Sequence, residues 1–202
     1  PEVNSHHLEE LIPLQRKLRG WDRGSLIVKP NCSIQSYMLP LYPLHQRYGL
    51  DSVVVTMLQA TSGAGYPGVS SLDCLDNLIP FISGEEEKSE REPQKILGTL
   101  GDAGIIPNTS IHFSAHCVRV PVIDGHTACV SVKFKESPSH DEVLQLWENF
   151  RSTPQELKLP SAPALPVVYT TEENRPQPRK DRMNQKGMAA TVGRLRPCPV
   201  LD

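Results

Sequence analysis

Apolar positions recur at helical spacing from His6 to Arg19, where Leu8, Leu11, Ile12, Leu14 and Leu18 form a stripe behind a cap at Asn4 or Ser5. Pro13 falls inside this stretch and predicts a kink or a shortened helix. The short apolar run Ser25-Leu-Ile-Val28 reads as a strand leading into Lys29-Pro-Asn-Cys-Ser33. Ser36 to Tyr48 is partly helical, interrupted by Pro40 and Pro43, and the β-branched density of Ser52 to Met57 predicts a buried strand. Gln59 to Gly68 then reads as a glycine-rich loop. Leu72 to Ile82 and Glu85 to Leu100 predict two helices, the second with an acidic start that suits the helix dipole. Alternation returns in Ser110 to Val122, with Ile111, Phe113, Ala115 and Cys117 on one face. It is cleaner in Thr127 to Lys135, where Ala128, Val130, Val132 and Phe134 oppose Thr127, Ser131 and Lys133. Asp141 to Phe150 is an amphipathic helix capped by Ser139, Ser161 to Arg182 a proline- and charge-rich loop, and Met188 to Leu195 a final strand.

Strands slightly outnumber helices and no strict βαβ rhythm appears. The expected class is therefore α+β, a mixed and largely antiparallel sheet with helices on one face. At 202 residues the chain can bury a core of its own. A formal charge of −2 gives no positive field for nucleic acid or a membrane surface, and no apolar run approaches the ~18 residues of a spanning helix. The five cysteines (32, 74, 117, 129 and 198) are odd in number and widely spread, with no C-x-x-C pair. That argues against a disulfide framework or a zinc finger and for a reducing compartment, so a cytoplasmic location is expected. The chain opens at Pro1 without methionine, which reads as a domain cut from something longer.

Cys32, set where a strand ends and a helix begins, would see free backbone N–H groups and the positive end of the helix dipole, both of which favour a nucleophilic sulfur. A buried structural cysteine is the alternative. Gly63-Ala-Gly65-Tyr-Pro-Gly68 matches G-x-G-x-x-G, but a dinucleotide fingerprint needs its last glycine in a helix, and Pro67 removes a donor where a phosphate wants one. It reads instead as a loop whose backbone approaches a substrate. His112 and His116 would lie roughly 13 Å apart along a strand, too far for one ion, so no metal site is expected. Glu85-Glu-Glu-Lys88 reads as a solvated helix face. Arg119-Val-Pro-Val-Ile-Asp-Gly-His126 places a guanidinium suited to a carboxylate at one strand's end, and an imidazole able to move a proton at the start of the next. A structural salt bridge and a turn histidine are the alternatives.

Taken together, these stretches resemble aspartate-semialdehyde dehydrogenase of the archaeal and fungal type. The resemblance is carried by Pro30 to Ser33, Gln59 to Ser71, Asp76 to Pro80, Gly84 to Lys88, Glu92 to Gly98, Arg119 to Thr127, Arg175 to Arg182 and Val192 to Arg196. It implies a fold like the C-terminal catalytic domain of glyceraldehyde-3-phosphate dehydrogenase-like enzymes. Residues 1–202 would form a catalytic and dimerisation domain, with 1–24 a connecting helix and 161–187 the proline-rich loop. The family's nucleotide-binding domain would be absent before Pro1, and its closing helical segment after Asp202. The implied roles are Cys32 as nucleophile, Gln59 orienting the substrate, His126 as acid/base, Arg119 gripping the substrate carboxylate, Glu92 receiving its ammonium and Lys95 binding phosphate. The implied reaction is reduction of 4-aspartyl phosphate by NADP(H) to aspartate semialdehyde and phosphate through a thioacyl cysteine. That step belongs to lysine, threonine, methionine and isoleucine biosynthesis, in a homodimer or a dimer of dimers. Ile34 stands where the family usually has threonine, and His116 where it often has glutamine. A malonyl-CoA or acyl-CoA reductase on the same scaffold would keep Cys32, His126 and Arg119 but has no use for an ammonium-facing Glu92. An inactive assembly fragment is the reading from another class, and turnover by this chain alone is not expected.

Overall fold

The computed structural model describes residues 2–201. Its elements run α1 (His7–Arg19), α2 (Cys32–Tyr48), β1 (Leu50–Gln59), α3 (Ser71–Cys74), α4 (Glu85–Ile96), β2 (Thr99–Gly101) and β3 (Gly104–Ile106). They continue with β4 (His112–Arg119), β5 (Thr127–Phe134), α5 (His140–Asn149), α6 (Thr153–Glu156), β6 (Val167–Thr170), α7 (Pro178–Asp181) and β7 (Ala190–Gly193). β1 is the middle strand of a sheet ordered β4-β1-β5, parallel to β4 and antiparallel to β5. Two short ladders accompany it, β2–β3 antiparallel and β6–β7 parallel. The expected α+β class with a mixed sheet is found, and parallel and antiparallel ladders occur in equal number.

One face of the sheet is buried by period-two alternation: Val53, Val55 and Met57 of β1 and Ala115 and Cys117 of β4 pack against Ile34, Tyr37, Met38 and Leu41 of α2. On the other face Val54, His112, Ser114, His116 and Cys129 stay exposed. The free edge of β4 is satisfied by α4 at four-residue spacing. Glu86 accepts the Cys117 N–H at 3.1 Å, Glu90 accepts the Ala115 N–H at 3.1 Å, and Gln94 donates to the Ile111 carbonyl at 3.0 Å. This stripe fixes α4 along β4 and so sets where its first residue, Glu85, lies. Helix α5 starts in a capping box of Ser139 and Glu142, as its sequence predicts.

Several expectations are corrected. Ser25–Val28 is not a strand, because no neighbour pairs with it; Leu26 is held instead by Gln15, which accepts its N–H at 2.7 Å and donates to its carbonyl at 3.0 Å. Helix α1 runs on through Pro13. Helix α2 likewise continues through Pro40 and Pro43, both buried in its packed face, so packing outweighs the bonds the prolines remove. Leu72–Ile82 is helical only over α3: Leu72, Leu75 and Leu78 are exposed and have nothing to pack on, while Ile79 exchanges both backbone hydrogen bonds with Arg119. The proline-rich loop holds β6 and α7, elements of four residues each that are too short to show a period. Among the described residues no helix is long and apolar enough to cross a membrane.

Candidate active site

The ends of several elements meet at one place. In the parallel ladder Gln59 and Arg119 are the last pair, at the C-terminal ends of β1 and β4, and Leu58 opposite Thr127 puts His126 just before β5. Helices α2 and α4 both begin there, at Cys32 and Glu85. A cleft of about 730 Å³ opens between them, and Cys32, Gln59, Glu85, Lys88, Glu92 and Arg119 all line it.

Cys32 is the first residue of α2, and Asn31 caps the helix by accepting the Ser33 N–H at 2.9 Å. The cap is itself held: its N–H donates to Glu92 at 2.7 Å, and its side-chain amide donates to both Glu85 oxygens at 3.0 and 2.9 Å. His126 Nε2 lies 3.2 Å from Cys32 Sγ. On the other side of the ring, Nδ1 accepts the Ala60 N–H at 3.0 Å. Burial, joined by the Arg119 and Lys29 charges and opposed by Glu85, holds the His126 pKa below its ordinary 6.5. The ring is therefore neutral at pH 7, and with Nδ1 committed as acceptor its proton sits on Nε2, aimed at the sulfur. His126 meets Cys32 as a hydrogen-bond donor.

The glycine loop brings its backbone against two side chains of the site. A Cβ at Gly63 would lie 3.0 Å from His126 Cε1 and 3.2 Å from Arg119 Nη1, so only glycine lets this backbone close on both groups without pushing them. Arg119 is buried, donates to the Ala60 carbonyl at 2.5 Å, and forms no ion pair among the described residues. The structural salt-bridge alternative for it does not hold. A guanidinium buried without a counter-charge and opening to a cleft is built for an anionic partner.

Gln59, 1 % exposed, donates to Glu85 at 3.0 Å. Glu85 is thus a hub rather than part of a solvated face. Burial pushes its carboxyl up, but hydrogen bonds from Gln59, Asn31 and Lys88 together outweigh this and leave its pKa below the ordinary value. Lys88 reaches it at 3.1 Å. Of the six residues singled out in the sequence, Cys32, His126, Gln59, Arg119 and Glu92 come together. Lys95 does not: it is exposed on the last turn of α4 and does not line the cleft, where Lys88 and Lys29 stand instead. The residues missed are Glu85, Lys88, the cap Asn31 and the Ala60 amide. Glu85 and Lys88 repeat the spacing of Glu92 and Lys95, a signal that was present but doubled.

His112 and His116 lie on β4, both exposed, and no cluster among the described residues could hold a metal. The Gly63–Gly68 loop is not shaped as a dinucleotide cradle. Thr61–Ala64 is a 3-10 turn, Gly63 is packed against His126 and Arg119, and Tyr66 projects fully into solvent, so the loop never becomes a phosphate-cradling helix start.

The family described as semialdehyde dehydrogenase, dimerisation domain, matches residues 41–202. The chain is 50% identical over 196 residues to the aspartate-semialdehyde dehydrogenase of Methanothermobacter thermautotrophicus, covering 97% of this chain and 56% of that protein. It is 39% identical over 199 residues to the malonyl CoA reductase (NADP) of Metallosphaera sedula, covering 97% of this chain and 55% of that one. Among solved structures, aspartate semialdehyde dehydrogenase with NADP from Candida albicans superposes with a TM-score of 0.87 at 38% identity, over 100% of this chain and 58% of that one. The chain spans little more than half the length of these relatives.

Proposed function

Because this chain belongs to the semialdehyde dehydrogenase dimerisation-domain family, we propose that it carries the catalytic half of an aspartate-semialdehyde dehydrogenase. The observation that carries this reading is that Arg119, buried and without an ion-pair partner among the described residues, opens to the same cleft as Cys32, which His126 meets at 3.2 Å. The substrate carboxylate pairs with Arg119, and the acyl carbon comes to Cys32. The sulfur attacks that carbon, an S–C bond forms, the bond from carbon to the phosphate oxygen breaks, and phosphate leaves with the electron pair and the proton that the thiol gives up. The Nε2–H of His126 donates first to the sulfur and then to the acyl oxygen as it gains charge. Lys88 and Lys29 at the cleft mouth attract the phosphate, and Lys88 takes the role expected of Lys95. Glu85 and Glu92 present the negative charge that suits an ammonium, and Gln59 donates to Glu85.

In the complete enzyme NADP(H) supplies the hydride that reduces the thioacyl group. Nucleotide binding falls to a separate domain reached through residues 1–24, since Gly63 of the glycine loop is packed against His126 and Arg119. The exposed face of the central sheet supports a homodimer and, beyond it, a dimer of dimers. Five free cysteines support a reducing, cytoplasmic setting. Malonyl-CoA reduction is the second reading, favoured by the Metallosphaera relative and opposed by two carboxylates in the cleft. Acylation needs only this chain, which makes it the test. Incubation with 4-aspartyl phosphate should place one aspartyl group on Cys32 by mass spectrometry and release phosphate, whereas malonyl-CoA should leave Cys32 unmodified. Malonylation with release of CoA, and no aspartylation, would move the chain to the second reading.

A further inference from the structure

The Arg175–Arg182 segment lies outside the cleft, yet it is tightly built and reaches the catalytic histidine from behind. Asp181 is 4% exposed, and its carboxylate accepts from Arg175 Nε at 2.8 Å, from Arg175 Nη2, and from the Gln177 N–H at 2.5 Å. Arg175 also pairs with Glu172 at 3.2 Å. These bonds close residues 175–181 into a ring. The ring is seated on β7: a Cβ at Gly193 would lie 2.6 Å from the Arg175 carbonyl oxygen, so the two backbones touch. From this seat Arg182 Nη1 reaches the Asp124 carbonyl at 3.1 Å. Gly125, at φ +94, lies against the same elements; a Cβ there would be 3.3 Å from Pro178 and 3.4 Å from Arg182. The segment thus grips both residues that precede His126. The Ala60 amide holds the imidazole at Nδ1, and this clamp holds the backbone that delivers it.

We infer that Arg182, anchored by the Asp181–Arg175 pair, is a positioning residue that sets the His126 ring against Cys32. The inference rests on the reading of Cys32 and His126 as the reacting pair. Without the guanidinium the Asp124 carbonyl is released. Gly125, already in the left-handed region, then offers the turn a flexible hinge through which Nε2 can drift from the sulfur. Arg182 is exposed, so its replacement removes the grip without opening the core.

The test uses this chain and iodoacetamide at pH 7, with the rate at Cys32 read by peptide mapping. Mapping is needed because the Val200 and Leu201 N–H groups hold the Cys198 thiol below its ordinary pKa and make it a competing site. His126→Ala should slow Cys32. Arg182→Ala should slow it by about three- to tenfold, the share expected when a charge-assisted hydrogen bond is loosened rather than removed. Arg182→Lys, which can still reach the carbonyl, should recover most of the rate. The double variant should be no slower than His126→Ala alone, and melting temperatures of both Arg182 variants should stay near that of the parent chain. A normal rate in Arg182→Ala beside a slow His126→Ala overturns the positioning role and leaves the pair standing. A double variant slower than His126→Ala also overturns it, since Arg182 would then act by another route. A normal rate in His126→Ala overturns the pair itself, and the positioning role with it.

Discussion

Replacing Gly63 by alanine should slow the reaction of Cys32 while sparing the fold. Gly63 is not among the glycines at positive φ, so alanine can follow its backbone and the effect comes from contact alone. The new methyl would lie 3.0 Å from His126 Cε1, 3.4 Å from Nε2 and 3.2 Å from Arg119 Nη1. Carbon atoms rest at about 3.5–4.0 Å, so the loop and the ring must part by about half an ångström. The Nε2 proton is aimed at Cys32 Sγ across 3.2 Å, and any part of that displacement taken up by the ring loosens this contact. A hydrogen bond to a charged acceptor contributes ~1.5–3 kcal/mol, and losing about half of it corresponds to a four- to twelvefold slower reaction at ~1.36 kcal/mol per decade. The assay is the iodoacetamide rate at Cys32, with Gly65→Ala as control. Gly65 sits at φ +71, and a Cβ there would meet nothing within 4 Å, so alanine strains the backbone and touches no catalytic group. Gly65→Ala should lower the melting temperature by a few degrees, as ~1 kcal/mol does in a chain of this size, without changing the rate. Equal rates in Gly63→Ala and the parent chain would refute the reasoning, as would a slowed Gly65→Ala.

Removing the Glu85 carboxylate (Glu85→Ala) leaves the Asn31 and Gln59 amides without their acceptor, so it should cost about 1–3 kcal/mol, read as a lower melting temperature together with slower Cys32 labelling. In the complete enzyme, Arg119→Lys should reduce kcat/KM by roughly 10- to 150-fold, because lysine keeps the charge but loses the fork that holds the Ala60 carbonyl and a carboxylate together. Lys88→Ala should weaken phosphate saturation in the reverse reaction, and Lys95→Ala should leave it unchanged. Burial is the first cause that lowers the pKa of His7, His45 and His126, and each ring uses Nδ1 as an acceptor. The unfolded chain therefore binds more protons than the folded one as pH falls through the ordinary histidine value of 6.5, and stability should drop on that side. Thermal melts between pH 7.5 and pH 5.5, buffer points of about one unit either side of that value, should show the fall, and His45→Gln, which keeps an acceptor for the Leu50 N–H, should flatten it.

Much of the chemistry was legible because it lies in short segments with their own local logic. Cys32 is placed at a helix start, and the β-branched run in β1 and the alternation in β5 announce two strands that meet at the site. What escaped was decided by neighbours far along the chain. Ser25–Val28 has a strand's composition and no strand to pair with. Pro40 and Pro43 look like breaks, yet they are buried in one helix, and the Pro40 carbonyl accepts the Trp147 indole N–H at 2.9 Å. The Ala60 amide has no side-chain signature at all, and only the fold shows that it selects the His126 tautomer.

The choice between two Glu–Lys pairs shows the limit most sharply. Glu85 and Lys88, and Glu92 and Lys95, share a spacing of three, and the second pair repeats the first seven residues later. Seven residues are nearly two full helical turns, so both pairs fall on almost the same face of α4 and no periodicity argument can separate them. What separates them is depth along the axis, ~10 Å at 1.5 Å per residue. The Glu86, Glu90 and Gln94 stripe bonded to β4 fixes that depth and sets the start of α4 beside Cys32. Glu92 still reaches the site, because its carboxylate extends back to the Asn31 N–H, whereas Lys95 lies a further turn away and points to solvent. The helix supplies the face, and the strand edge it is tied to supplies the register that turns one of two equivalent pairs into part of the site.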